Sequence, residues 1–485
     1  MIEKLFRKKD IGAMLEESAR SNGGLKRNLS VYHLIALGIG AIVGAGIFVI
    51  TGQAAAEYAG PALTISFVIS AIGCILAGLC YSEFSAMIPV SGSVYAYCYT
   101  TMGEFLAWFI GWTLILEYLF ACSAVASAWS GYMINMLNGW DIYLPQHISQ
   151  SVFKYTSEGW SLTGSLINFP AVFIVGIVTS LLMGGIKQSA IINNVIVAIK
   201  VGVILLFIGF GLSVILAPDF DLKSNWTPYI PPNTGVFGEY GWSGIFRGAA
   251  LVFFAYLGFD ALSTAAQETK RPQSDMPRGI LISLGICALL YIAVTAVLTG
   301  IVHYKELNVE APIGVAIDKA HTLAWLSPFI KLGAIAGLSS VILVMMLGQS
   351  RIYYSIASDG LLPQPLAKIH PERGVPRNAT IVAGVLTALI AGLFPLQVLN
   401  ELVSIGTLMA FSIVCICVII LRKTRPELKR PFRVPFVPAI PILGAVICIA
   451  QMVALPWVTW ARLIGWTVLG IIVYFLYSIK HSKLN

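Results

Sequence analysis

Apolar residues run through this 485-residue chain in long blocks, separated by short polar stretches. A helix that crosses the hydrocarbon core of a bilayer needs about 20 predominantly apolar residues. Blocks at 31–54, 61–88, 105–136, 169–185, 190–217 and 244–266 fit that pattern. So do blocks at 280–303, 325–354, 378–394, 398–421, 438–456 and 461–479, with only Pro395-Leu396-Gln397 between the ninth and the tenth. The pattern predicts an all-α integral membrane protein of twelve transmembrane helices.

Two blocks carry residues that spoil a helix. Span one contains Gly38-Ile39-Gly40-Ala41-Ile42-Val43-Gly44-Ala45-Gly46-Ile47-Phe48, and span six contains Phe253-Phe254-Ala255-Tyr256-Leu257-Gly258-Phe259-Asp260. Lipid cannot satisfy the backbone groups that a broken helix exposes. Such a break persists only where protein, water or a ligand takes over those bonds. Breaks in corresponding positions of two halves point to a binding site near the membrane midplane. Spans one and six are five apart, which suits a five-plus-five inverted repeat because an odd number reverses the second copy. The expected organisation is a tail at 1–30, a first repeat at 31–217, a second at 218–422, and two appended helices with a tail at 423–485.

Composition narrows the class further. Charged residues make up 11% of the chain, against about 25% in soluble domains. A net charge of +8 invites a nucleic-acid reading, but the basic residues sit in short loops between apolar blocks. With the N-terminus inside, 23 of the 31 basic residues fall on the inner side and 6 on the outer, while Lys200 and Arg247 lie within spans. The positive-inside rule therefore places both termini in the cytoplasm of a cell whose plasma membrane the protein spans. The basic first 30 residues lack an apolar core with a cleavage site, so they are not read as a signal peptide. Asp10 to Ser21 suits a short amphipathic helix at the membrane surface.

No enzyme chemistry is legible. The six histidines lie at span ends or in loops and tails, the eight cysteines fall in or beside apolar blocks, and neither set has metal-ligand spacing. No phosphate-binding loop or nucleotide domain is present in the sequence. A transporter of this composition would run on gradients, with no cofactor and no metal. Its partners are a small-molecule solute and membrane lipid, and no obligatory protein partner is legible.

Several residues carry candidate chemistry. The break in span one falls at Val43, Gly44, Ala45 and Gly46, where glycine frees the backbone and leaves it approachable. The half-helix beyond begins with free N–H groups and a positive dipole end, which suit a carboxylate. The same glycines also fit a small-residue packing face. The break in span six falls at Phe254, Ala255 and Leu257, whose freed carbonyls suit an ammonium group. Together the breaks suit a zwitterionic α-amino acid. Phe253, Phe254 and Tyr256 cover such a ligand or pack in the core. An ionisable residue inside the membrane is a functional candidate. Lys200 in span five is either a charge switch or a fixed cation holding loose carbonyls. Glu117 in span three either faces the ligand side chain or pairs across helices. Asp260 caps the second half-helix.

At these residues the chain resembles the amino acid–polyamine–organocation superfamily and, within it, the cationic amino acid transporter family. Gly23-Gly24-Leu25-Lys26-Arg27 leads into the glycine-rich stretch of span one. Tyr81-Ser82-Glu83-Phe84, Met87-Ile88-Pro89-Val90-Ser91-Gly92-Ser93 and Gly258-Phe259-Asp260-Ala261 also match. So do Asp275-Met276-Pro277-Arg278-Gly279-Ile280 and Ser358-Asp359-Gly360-Leu361-Leu362-Pro363. The resemblance implies import of L-amino acids by alternating access, driven by H+ rather than sodium. It implies a carboxylate site near Ala45 and Gly46, and an ammonium site at the carbonyls of Ile42, Phe254 and Leu257. Lys200 matches the family's proton-coupling lysine, and Glu117 an acid near the side-chain end of the pocket. Met345 or Met346 limits pocket size. The chain departs from the pattern at Glu268-Thr269-Lys270-Arg271-Pro272-Gln273-Ser274, near the inner gate. Twelve spans, where animal members have fourteen, point to a prokaryotic form. The competing readings are an amino acid exchanger without proton coupling and an amino acid sensor.

Overall fold

A computed structural model describes residues 5–12, 14, 27–44, 46–156, 159–218, 220–309, 312–320, 325–453, 455 and 457–484. The chain is mostly helical, at 76%. Eight helical stretches among the described residues are long and apolar enough to cross a membrane. Four shorter apolar helices accompany them, at Val31–Ile42, Phe169–Met183, Arg377–Leu393 and Ala439–Val453.

In chain order, α1 is Val31–Ile42, α2 Leu63–Met87, α3 Ser93–Thr101, α4 Glu104–Asn138, α5 Phe169–Met183 and α6 Ile186–Ile215. Next come α7 at Gly241–Val252, α8 at Phe259–Thr264, α9 at Pro272–Ile301 and α10 at Ser327–Ser358. The chain continues with α11 at Arg377–Leu393, α12 at Leu396–Thr424, α13 at Ala439–Val453 and α14 at Trp457–Val473. Both expected breaks are present. Helix α1 ends at Ile42, Val43 turns extended (ψ 99°), and a π-helical turn resumes at Gly46–Ile50. Helix α7 tightens to a 3₁₀ turn at Phe253–Tyr256, and Gly258 turns left-handed (φ +112°) before α8. A left-handed residue costs an L side chain about 1–2 kcal/mol, which explains glycine at that position.

Three differences from the sequence pattern stand out. Helix α3 forms in the loop after span two, where the turn at Gly92 launches nine buried residues. A hairpin of β1 Phe153–Thr156 and β2 Gly159–Leu162 pairs antiparallel, with Phe153 opposite Leu162. Helix α9 starts at Pro272, ahead of the expected 280, because proline is favoured in a first helical turn. The proposed amphipathic segment lies mostly outside the described residues, as do Gly23 to Lys26 and Ala45.

Helix α8 packs against α1, α9 and α10. Helix α9 packs along α1 and α2, α6 packs against α1 and α10, and α4 packs against α10 and α12. Ion pairs on two buried carboxylates tie loops and helices together. Glu83 accepts from Arg422 Nη2 (2.6 Å) and from the Val434 N–H (2.7 Å), which anchors the loop between α12 and α13. Asp359 accepts from Lys9 Nζ (2.6 Å) and the Tyr95 hydroxyl (2.7 Å). These contacts account for two of the matched motifs as structural anchors.

Candidate functional site

The two breaks interlock backbone to backbone. A Cβ at Gly46 would stand 2.3 Å from Ala255 Cβ, and one at Gly258 would stand 2.7 Å from Ala41 Cβ. Only glycine permits so close an approach at both crossings. Between the breaks lies a small cavity of about 20 Å³. Ile42, Gly44, Gly46, Phe254, Leu257 and Met345 line it, all of them sequence candidates. Ala41, Ala121, Val125 and Val341 complete the wall. The cavity has room for about one water molecule.

Some of the backbone groups at the breaks are engaged within the protein. Among the described hydrogen bonds, none uses the N–H of Gly44 or Gly46. The Gly44 carbonyl accepts from Ile47 and Phe48 at 3.2 and 3.3 Å, and the Gly46 carbonyl from Thr51 Oγ1 at 2.9 Å. Of the carbonyls expected to meet an ammonium, Phe254 O accepts from Leu257 N at 3.2 Å. Ile42 O faces the Tyr291 hydroxyl at 2.7 Å, and the same hydroxyl lies 2.8 Å from Ala255 O. Tyr291 thus joins both breaks, and sequence reasoning missed it.

Lys200 is fully buried, with its ammonium donating to Gly40 O (2.9 Å), Val43 O (2.8 Å) and Ser340 Oγ (2.7 Å). Ser340 Oγ also lies 3.0 Å from Gly40 O. Two of the lysine's partners are carbonyls freed where α1 stops, so the cation replaces helical donors at the break. It stands beside the cavity without lining it.

The remaining candidates sit in neighbouring layers. Glu117 is buried one helical turn from Ala121, and among the described residues its Oε2 has no hydrogen-bond partner. Asp260 accepts from the Tyr118 hydroxyl, and its Oδ1 is likewise unpartnered. Tyr256 donates to Phe67 O at 3.1 Å, and its ring stands 5.2 Å from that of Tyr291. Phe253 packs 5.7 Å from the ring of Phe411. Of the three aromatics at the break, the structure brings Phe254 alone to the cavity wall. Of the two methionines it brings Met345, while Met346 is buried elsewhere.

Contacts close both ends of the broken segments. At one end Leu29 and Thr269 form a bridge, with Leu29 N donating to Glu268 O at 3.0 Å and Lys270 N to Leu29 O at 2.8 Å. Beside it the Arg351 guanidinium donates to Glu268 Oε1 at 2.6 Å, and both residues are buried. Burial pushes the Glu268 carboxyl above the usual carboxylate range, and the Arg351 charge pulls it the other way. At the other end the Tyr132 hydroxyl donates to Phe48 O at 2.8 Å, and Tyr240 to Ala56 O.

A backbone-lined pocket between two interrupted helices, deep in an apolar helical protein, defines a solute-binding membrane protein of the transporter class. A family model described as amino acid permease matches residues 29–477. The chain belongs to this amino acid permease family, within the amino acid–polyamine–organocation superfamily. It is 45% identical to the methylthioribose transporter of Bacillus subtilis (strain 168) over 484 residues, which cover 100% of each chain. It is 44% identical to the branched-chain amino acid permease BcaP of the same organism, over 99% of each. The vacuolar cationic amino acid transporter 4 of Arabidopsis thaliana is 36% identical over 403 residues, 83% of this chain and 64% of that protein. The relatives are transporters, and the chain is a multi-pass membrane protein rather than an enzyme.

Proposed function

We propose that the chain imports a neutral, aliphatic L-amino acid across the plasma membrane by alternating access, coupled to H+. The observation that carries this reading is the cavity between the breaks. The N–H groups of Gly44 and Gly46, unengaged among the described residues, suit a carboxylate, and the carbonyl edge of Phe254 and Leu257 suits an ammonium. Ala121, Val125, Val341 and Met345 form the remaining wall and favour an aliphatic side chain. The names of the relatives divide among a thio-sugar, branched-chain amino acids and cationic amino acids. A site with backbone donors at one pole and acceptors at the other favours the zwitterion over the sugar. An apolar wall favours the neutral side chain over the cationic one.

In this reading the eight long and four short apolar helices make twelve spans in a five-plus-five inverted repeat, with both termini in the cytoplasm. The repeats occupy 31–217 and 218–422, and 423–485 follows them. Lys200 links proton transfer to the break, because a change in its charge would release Gly40 O and Val43 O. Glu268–Arg351 and the Leu29–Thr269 bridge then close the inner side, and Tyr132–Phe48 the outer side.

A second reading has support from the same lysine. Three short bonds to Lys200 also suit a permanent cation, and that arrangement fits an exchanger without protons. Uptake of L-leucine into liposomes holding the purified protein separates the two. Accumulation driven by an inward proton gradient alone supports symport. Accumulation only from liposomes preloaded with amino acid overturns it in favour of exchange.

A further inference from the structure

A second, larger chamber opens outside the central cavity. It has a volume of about 400 Å³, within the range of about 300–1,000 Å³ common for small-molecule pockets. Its floor is α4. Ala121 and Val125 line the central cavity, while Ala128 and Tyr132 line this chamber. Spacings of four, three and four residues put all four on one helical face. At 1.5 Å per residue, Ala128 lies about 4.5 Å along the helix from Val125.

The rest of the wall comes from three elements with no place in the central site. The α11–α12 corner contributes Phe394, Pro395 and Leu396. The start of α5 contributes Asn168, and the hairpin region contributes Gln150, Lys154 and Thr163. The hairpin is fastened there by Phe153, whose ring stacks on Phe394 at 5.4 Å.

The polar lining is rich in donors. Asn168 is 7% exposed, and its Oδ1 accepts from Ser130 Oγ at 2.6 Å and Ala171 N at 3.3 Å. Its side chain lines the chamber. Among the described residues nothing pairs with Lys154 Nζ or with the side-chain amides of Asn135 and Gln150, and no acidic side chain lines the chamber. An ammonium and three amides beside an apolar floor of Ala128, Phe394 and Leu396 favour a ligand with one carboxylate and one apolar arm.

We propose that this chamber is a separate binding site for a small amphiphilic monocarboxylate, with the carboxylate at Lys154 and the apolar arm on Phe394 and Leu396. It needs no α-ammonium, unlike the central site, so it stands whichever solute crosses the membrane. Its occupant touches Tyr132, whose hydroxyl holds the outer half of the first break through Phe48 O.

The probe is radiolabelled 4-methylpentanoate, the leucine skeleton without its amino group, in equilibrium dialysis against the full-length protein in nanodiscs. One saturable equivalent is expected, undiminished by saturating L-leucine. Lys154→Gln, an exposed substitution that leaves the fold intact, should weaken binding about tenfold, and Ala128→Trp should abolish it by filling the chamber. The neutral 4-methylpentanamide should compete at least tenfold less well. The proposal is overturned by an absence of saturable binding, by binding indifferent to Lys154→Gln, or by one-for-one displacement by leucine. If leucine is not transported but the probe still binds with this dependence, the transport reading fails and the chamber stands.

Discussion

Lys200 Nζ donates to the Val43 carbonyl across 2.8 Å, joining α6 to the residue where α1 stops being a helix. The bond makes a side chain do what helical N–H groups cannot do at a break. Removing it leaves Val43 O buried without its donor, which costs about 1–3 kcal/mol. Lys200→Met should therefore lower thermal stability in detergent and reduce proton-driven accumulation at least tenfold. Normal accumulation in liposomes by this variant would remove Lys200 from the coupling mechanism.

Tyr291 bridges the breaks with one hydroxyl, at Ile42 O and Ala255 O. Tyr291→Phe keeps the ring packing against Phe67 and Tyr256 and deletes only the oxygen. The expected loss is about 1–3 kcal/mol, with uptake impaired because the two breaks are no longer held in register. Thermal unfolding and initial uptake rates, measured on the same preparation, check both effects.

Glycine is required at the crossings. Gly258→Ala meets both a left-handed backbone (φ +112°) and Ala41 Cβ at 2.7 Å. Strain and overpacking together should destabilise the protein by about 2–5 kcal/mol. Gly285→Ala is the matched control, because nothing stands within 4 Å of its added methyl. Equal melting temperatures for the two variants would contradict the interlocked breaks.

Glu268 and Arg351 form a buried pair whose Oε2 and Nη2 atoms find no partner among the described residues. Removing one member of such a pair costs about 3–5 kcal/mol, because the other charge stays buried and uncompensated. Arg351→Met should destabilise strongly, and Glu268→Gln in the same chain should recover part of the loss. A double-mutant cycle on melting temperatures reads the coupling directly.

Much of this was legible in the sequence, because a glycine in an apolar run is a local signal. The breaks at Val43–Gly46 and Phe254–Leu257 and the intramembrane Lys200 followed from such signals, whereas the pocket role of Met345 or Met346 came only from the family resemblance. Tyr291 gave none: a tyrosine in an apolar block is ordinary, and its partner Ile42 lies 249 positions away. Val341 and Ala121 were equally silent, since only the crossing of α4, α10 and the breaks turns a common apolar residue into a wall. The inner closure was hidden for another reason. Glu268 and Arg351 sit in segments that read as a loop and a span end, and their separation of 83 positions gave no reason to pair them. The hairpin was too short, and too mixed with serine and threonine, for its period of two to show.

The central claim is that two breaks form one site, with N–H groups for a carboxylate and carbonyls for an ammonium. Inhibition of L-leucine uptake by paired analogues tests it most directly. The account predicts that unlabelled L-leucine inhibits fully, while L-leucine methyl ester and 4-methylpentanoate are each at least about 100-fold weaker, a penalty of about 2.7 kcal/mol per lost pole. Competitive inhibition by either analogue at the concentration where leucine itself acts would contradict it.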